Sequence, residues 1–209
     1  GPADYGIYFA VLNLAYIFQV FLDLGIQNFN NKSIAGDPKL YSTYLGNMAL
    51  IKAVLGVLFF LLLFTVGKVV LGYADRYLYL LGIVGFNVFL SSFLLFLRSN
   101  LAGLHLFKWD SIASVADRVL MIVMCGGLLI FSKDSFVIEW FAYAQTISYG
   151  LVIAGVGVVL GLKAPAVHWT IKRGLLFRIL KSSLPFALLN LLMASYTRLD
   201  GIMLESLLP

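Results

Sequence analysis

The sequence has few charged residues and almost no cysteine or histidine. Only 12% of its 209 residues are charged, whereas about a quarter of an ordinary soluble domain is. A globule of this size cannot be covered by so few charges, which excludes a soluble enzyme. The single cysteine, Cys125, excludes a disulfide framework. His105 and His168 lie in separate connections without ligand-spaced neighbours, so we expect no zinc site.

Motifs of several enzyme classes are also missing. The chain has no glycine-rich phosphate loop followed by Lys-Ser/Thr and no nucleophile elbow. No pair of carboxylates with a clear acid/base spacing can be identified in it. We therefore expect the chain not to be an enzyme and to hold no cofactor. Its excess of Lys and Arg, 15 against 10 Asp and Glu, indicates membrane topology rather than nucleic-acid binding.

Long apolar stretches dominate what is present, with 61% hydrophobic residues and a mean hydropathy of +0.96. Six stretches are close to the roughly 20 residues that a membrane-crossing helix needs. They are residues 5–26, 46–71, 77–97, 113–131, 139–162 and 183–206. They are too long for barrel strands, and helices satisfy their own backbone in lipid. The sequence thus predicts an all-α, polytopic membrane protein with about six transmembrane helices.

Charges in the connections give the orientation. Eleven of the 15 Lys and Arg residues fall on the side of connections 27–45, 98–112 and 163–182, and three fall on the other side. The positive-inside rule places the first set in the cytoplasm. Gly1 then lies outside, next to a membrane-entering helix, so we expect a further span before it; a Gly-Pro tag remnant is the alternative.

Segment 169–183 has the pattern of a basic amphipathic interfacial helix, although a topogenic charge cluster explains it equally well.

Polar residues inside the spans recur at helical spacing on four helices, which predicts a shared polar cavity. The four sets are Gln19-Asp23-Gln27, Asn87-Ser91-Arg98, Asp110-Ser114-Asp117 with Arg118 beside them, and Gln145-Tyr149. For the Asn, Gln and Ser positions, hydrogen bonding between helices is an equally good explanation. For Asp23 and Asp117 the cavity is favoured. Lys52 is expected to extend its ammonium group to the membrane surface.

Arg198 and Asp200 are the strongest candidates for function. They lie in the sixth span, two residues apart and roughly 200° around a helix, so they cannot pair with each other locally. Each needs a partner on another helix, in water or on a ligand.

Several short motifs follow one another along the chain: GPADYGIY (1–8), DLGI (23–26), KSIA (32–35), LRSNLAG (97–103), SLPF (183–186) and YTRLDGIML (196–204). Their order and spacing resemble those of bacterial polysaccharide flippases, which export lipid-linked oligosaccharides and belong to the multidrug/oligosaccharidyl-lipid/polysaccharide exporter superfamily. Lys32 departs from this pattern, because an Arg is common before Ile-Ala. The resemblance implies helices two to seven of a two-lobe transporter with about 12–14 helices. It further implies that 1–162 is most of the N-terminal lobe, 163–182 a cytoplasmic basic linker and 183–209 the first helix of the C-terminal lobe.

The resemblance also implies a substrate and roles for the candidates. The substrate would be an undecaprenyl-diphosphate-linked sugar unit, as in O-antigen or capsule synthesis, crossing the bacterial inner membrane by alternating access. Arg198, Arg98 and Arg118 would contact the diphosphate or acidic sugars. Asp200, Asp23 and Asp117 would bind sugar hydroxyls, pair with these cations or carry a coupling H⁺ or Na⁺. Gln145 joins them as a substrate-binding candidate.

Two alternatives and the expected partners complete the predictions. A multidrug/cation antiporter of the same superfamily would need an acidic cavity. A membrane-embedded polymerase or transferase acting on lipid-linked sugars would need a large periplasmic loop. The expected partners are the lipid bilayer, the lipid-linked glycan and glycan polymerase or assembly proteins, and no nucleic acid.

Overall fold

The computed structural model describes residues 2–131, 138–167, 171 and 173–207. Within this range, the side chains of residues 2–4, 129, 131, 191 and 194–207 are outside the description. The predicted site residues Arg198 and Asp200 therefore lie outside the described side chains.

Seven α-helices form the described part of the chain, and no strand occurs there. They are α1 (Pro2–Phe18), α2 (Ile26–Gly36), α3 (Tyr41–Thr65), α4 (Asp75–Gly103), α5 (Phe107–Phe131), α6 (Ile138–Lys163) and α7 (Arg173–Leu207). A 3₁₀ turn (Gln19–Leu22) follows α1, a second one (Pro38–Leu40) precedes α3, and a π-helical turn (Val66–Val70) extends α3.

Five helical segments are long and apolar enough to cross a membrane. They are Tyr5–Leu22, Pro38–Val70, Asp75–Gly103, Phe107–Leu128 and Ile138–Lys163, which match the first five predicted spans in order. The sixth predicted span, 183–206, forms the later part of α7. The prediction of an all-α, polytopic membrane protein is confirmed.

The first span ends earlier than predicted, because the helix breaks near Asp23. After the 3₁₀ turn, Leu24 and Gly25 have left-handed φ angles of 43° and 76°. α2 then begins at Ile26, the last residue of the predicted first span, and continues into connection 27–45. The prediction that Gln19, Asp23 and Gln27 share one continuous helical face is therefore wrong, since the break separates Gln27 from the other two.

The connection expected at 98–112 is also mostly helical. α4 continues to Gly103 and α5 begins at Phe107, so only Leu104–Leu106 connect them. α4 is extended because its end packs closely on α2. A Cβ atom at Gly103 would lie 2.8 Å from Ile34 Cβ, so the absence of a side chain permits this approach.

Residues 173–183 of the basic segment lie in the same helix as the sixth predicted span. α7 runs without interruption through Pro185, so the predicted boundary at 182/183 does not coincide with a helix end. The apolar side of its first turns packs on the bundle, where Ile179 is fully buried and Leu176 is partly buried. Arg178 and Lys181 are exposed on the other side.

α4 is the central helix, and it packs against α1, α2, α3, α5 and α6. Two apolar clusters surround it. One joins α2 to α7 around Ile26, Met48 and Leu101. The other joins α1, α3 and α4 around Val11 and Phe59. The α1 break and the N-terminal half of α7 are thereby held next to each other.

Candidate functional site

A cavity of about 630 Å³ lies between α1, the helix break and α7. Its polar lining residues are Asn13, Tyr16, Gln19, Asp23 and Asn190. These side chains supply amide, hydroxyl and carboxylate groups, which donate to and accept from hydroxyl groups. The cavity is therefore suited to a hydroxyl-rich, largely uncharged ligand.

Asp23 forms part of the cavity wall and is held by two neighbours. Its Oδ1 accepts a hydrogen bond from the Gln27 backbone N–H at 3.2 Å and another from Lys52 Nζ at 3.2 Å. The side chain is 19% exposed. Because Oδ1 has both partners, the carboxylate is fixed in position beside the cavity.

Lys52 does not reach the membrane surface, so that prediction is wrong. Its side chain is 1% exposed, and its ammonium donates to Leu22 O at 2.9 Å and Ser92 Oγ at 2.8 Å as well as to Asp23. α3 begins at Tyr41 rather than near Gly46, which places Lys52 three turns inside the helix instead of at its end.

A second polar group joins α4 to α6. Asn87 Nδ2 donates to Ala142 O at 2.8 Å and to Gln145 Oε1 at 3.3 Å, and Thr146 Oγ1 donates to Asn87 Oδ1 at 2.6 Å. Gln145, a predicted site residue, is therefore engaged in helix packing. It also borders the two small hollows described next.

Asp117 and Arg118 lie at one of these hollows, of about 20 Å³, with Gln145, Ser148 and Tyr149. Arg118 Nε is 3.6 Å from Asp117 Oδ2, and its side chain is 76% exposed. Asp117 Oδ1 is buried and has no hydrogen-bond partner in the described part of the protein. A space of this size accommodates one water molecule or small ion, and Asp117 is one of the residues that line it.

The cavity and the hollows share lining residues. Tyr16 lines the large cavity and also a second hollow of about 20 Å³ with Asn87, Gln145 and Tyr149. Gln145 and Tyr149 line both hollows. Through these shared residues, the predicted residues Asp23, Gln145, Asp117 and Arg118 border neighbouring spaces, and we call these spaces together the polar track.

Arg98 does not belong to the polar track. Its Nε donates to Asp110 Oδ1 at 2.7 Å across the short α4–α5 connection, and both side chains are about one quarter exposed. This pair closes the end of α4 on the start of α5. For Arg198 and Asp200 the predicted site roles remain predictions.

Sequence reasoning missed several residues of the site. Asn13, Tyr16 and Asn190 line the cavity, and Ser92 holds Lys52. An amide in an apolar stretch was the available signal for Asn13 and Asn190. No signal identified Ser92, because its role depends on the helix break being next to α4. The described residues contain no group of three or more His, Cys, Asp or Glu that could hold a metal ion.

Comparison with known proteins gives one match. A family model described as "Polysaccharide biosynthesis protein" matches residues 1–209. No curated protein and no solved structure matches the chain. With five helices able to cross a membrane, it is a multi-pass membrane protein involved in polysaccharide synthesis or export. The chain belongs to the polysaccharide biosynthesis protein family.

Proposed function

We propose that this protein flips undecaprenyl-diphosphate-linked oligosaccharide or polysaccharide repeat units across the bacterial inner membrane by alternating access. The observation that carries the proposal is the cavity of about 630 Å³ between α1, the helix break and α7 of this multi-pass protein, with amide, hydroxyl and carboxylate groups on its wall. A glycan cannot cross hydrocarbon without such a polar path, whereas its lipid tail can stay in the bilayer.

The cavity wall supplies contacts for sugars. Asn13, Gln19 and Asn190 offer both donors and acceptors, and Ile17 offers apolar surface for the C–H faces of a sugar ring. Lys52 is buried away from the cavity, so it is not available for the diphosphate. We assign that contact to Arg118, whose guanidinium is exposed beside the polar track, and to Arg198, as predicted from the sequence.

Asp117 is the described residue best placed to bind a coupling ion. It lines a space that accommodates one small ion or water, and its Oδ1 is buried without a hydrogen-bond partner among the described residues. We assign to it the coupling H⁺ or Na⁺, the role that the resemblance implies for this residue. Asp200 remains the second candidate.

In this proposal the protein performs no chemical step and needs no cofactor. Polymerase or assembly proteins receive the glycan.

The proposal is tested by deleting the gene that encodes this chain. Lipid-linked repeat units should then accumulate on the cytoplasmic leaflet, and complementation should remove them. Normal periplasmic glycan assembly in the deletion strain would reject the proposal. Accumulation of finished but unpolymerised units on the outer leaflet would favour the polymerase alternative, and drug sensitivity with normal glycan would favour the antiporter.

A further inference from the structure

The buried ammonium group of Lys52 lies among four oxygen atoms. Leu22 O is at 2.9 Å, Ser92 Oγ at 2.8 Å, Asp23 Oδ1 at 3.2 Å and Ser92 O at 3.4 Å from Nζ. We call these atoms the oxygen cage. It combines two backbone carbonyls, one hydroxyl and one carboxylate, which are the kinds of ligand that a hard monovalent cation takes.

The helix break creates this cage. Leu22 is the last residue of the 3₁₀ turn, and the last carbonyls of a helix have no partner within it. They also carry the negative end of the helix dipole. In transporters with broken membrane helices, unwound carbonyls and half-helix C-termini commonly coordinate Na⁺ or H⁺. Here the position that such an ion would take is filled by a side chain from α3.

We infer that Lys52 is a tethered cation: its ammonium group permanently occupies a monovalent-cation site at the α1 break and thereby positions Asp23 in the cavity wall. One part of this inference rests on the proposed function, namely that the cavity wall contacts the glycan. The cage itself is a property of the folded chain, so it can be tested without a transport assay.

The burial of Lys52 favours this role over that of an ordinary ion pair. A pair with an exposed partner, such as Arg76 (58% exposed) with Glu139 at 3.7 Å, contributes little to stability. A lysine that is 1% exposed keeps its charge only if its donors are all satisfied. An ammonium group has three donors, and Leu22 O, Ser92 Oγ and Asp23 Oδ1 accept one each. Asp23 is therefore neutralised from within the protein and needs no ion from solution, which leaves Asp117 and Asp200 as coupling candidates.

The test is the thermal unfolding of the purified full-length protein in NaCl, KCl or choline chloride at equal ionic strength. Lys52→Ala empties the cage and leaves space for a cation, whereas Lys52→Met removes the charge and fills the space. Lys68→Ala is the matched control, because Lys68 is exposed in the π-helical turn that follows α3.

We expect the Tm of Lys52→Ala to be about 2–4 °C higher in NaCl or KCl than in choline chloride, since a bound ion stabilises the folded state. The wild type, Lys52→Met and Lys68→Ala should show no such difference. A Tm of Lys52→Ala that does not depend on the cation would overturn the inference, whatever the outcome of the gene deletion.

If the Lys52→Ala protein does not accumulate in cells, a double variant tests the inference instead. Lys52→Ala with Asp23→Asn removes both charges. Its accumulation supports the inference, because the defect of the single variant then comes from a carboxylate without a cation. If neither variant accumulates, Lys52 acts independently of the cage carboxylate and the inference is wrong.

Positioning is tested by export in cells. Lys52→Ala should reduce export about tenfold, and raising Na⁺ in the medium and cytoplasm should restore part of it, whereas Lys52→Met should not respond. If Lys52→Ala and Lys52→Met lose export equally and neither responds to Na⁺, the positioning role is contradicted, even if the Tm of Lys52→Ala depends on the cation.

Discussion

The backbone of Gly25 lies directly against the backbone nitrogen of Ala187 in α7. A Cβ atom at Gly25 would overlap Ala187 N and Ser183 O and would come within 2.8 Å of the Phe186 carbonyl carbon. Gly25 also has a left-handed φ of 76°. Both the conformation and the contact therefore require glycine, and together they seat α7 on the helix break beside the cavity.

Gly25→Ala is expected to destabilise the protein strongly. The left-handed conformation alone costs about 1–2 kcal/mol for a residue with a side chain, and the overlap with α7 backbone adds to this cost because backbone atoms cannot move aside easily. Thermal unfolding of the purified protein measures the change. Gly72→Ala is the matched control, since Gly72 has a φ of 62° but open space around it. A Gly25→Ala protein no less stable than Gly72→Ala would show that α7 is not seated there.

The Arg98–Asp110 pair is expected to stabilise the α4–α5 connection. Arg98→Gln and Asp110→Asn should each lower stability, and the double variant should lose little more than either single one. The coupling energy should be on the order of 1 kcal/mol, because the pair is only partly buried. A double-mutant cycle from chemical denaturation measures it. If the two losses of stability are strictly additive, Arg98 and Asp110 are not coupled. Arg98 would then again be a candidate to contact the substrate.

The sequence was sufficient to predict the spanning helices, because their length and apolarity alone identify them. Five predicted spans have a counterpart in α1 and α3–α6. The polar positions were harder, since a residue's surroundings depend on which helices are neighbours. Asp117 and Gln145 were predicted to share a cavity, and the structure places both at one hollow.

Lys52 shows why the rest could not be predicted. Its position in the sequence, a few residues into an apolar stretch, is typical of a lysine at the membrane surface. Its burial follows from two facts that only the three-dimensional arrangement supplies: α3 starts earlier than its apolar run, and α1 breaks at Asp23. The helix break itself has a weak signal, because Asp23-Leu24-Gly25 fits within an otherwise continuous apolar run.

Gln19→Leu is expected to reduce export of the lipid-linked glycan several-fold. The substitution keeps the size of the side chain but removes its donors and acceptor from the cavity wall, and each lost hydrogen bond to a ligand costs about 0.5–1.5 kcal/mol. Accumulation of lipid-linked units in complemented cells measures the effect. Asn31→Ala, an exposed amide on α2, should export normally. Equal export by Gln19→Leu and Asn31→Ala would mean that the cavity does not contact the glycan.

Asp117→Asn is expected to remove the dependence of export on an ion gradient. The substitution keeps the shape of the side chain and its neighbours Gln145 and Ser148 but removes the charge that would attract H⁺ or Na⁺ to its unpartnered oxygen. Export into inverted or right-side-out vesicles, with imposed H⁺ or Na⁺ gradients, measures the dependence. Asp110→Asn is the matched control: its carboxylate is paired with Arg98, so the gradient response should persist. If Asp117→Asn responds to both gradients as the wild type does, the coupling ion binds elsewhere, and Asp200 becomes the residue to test.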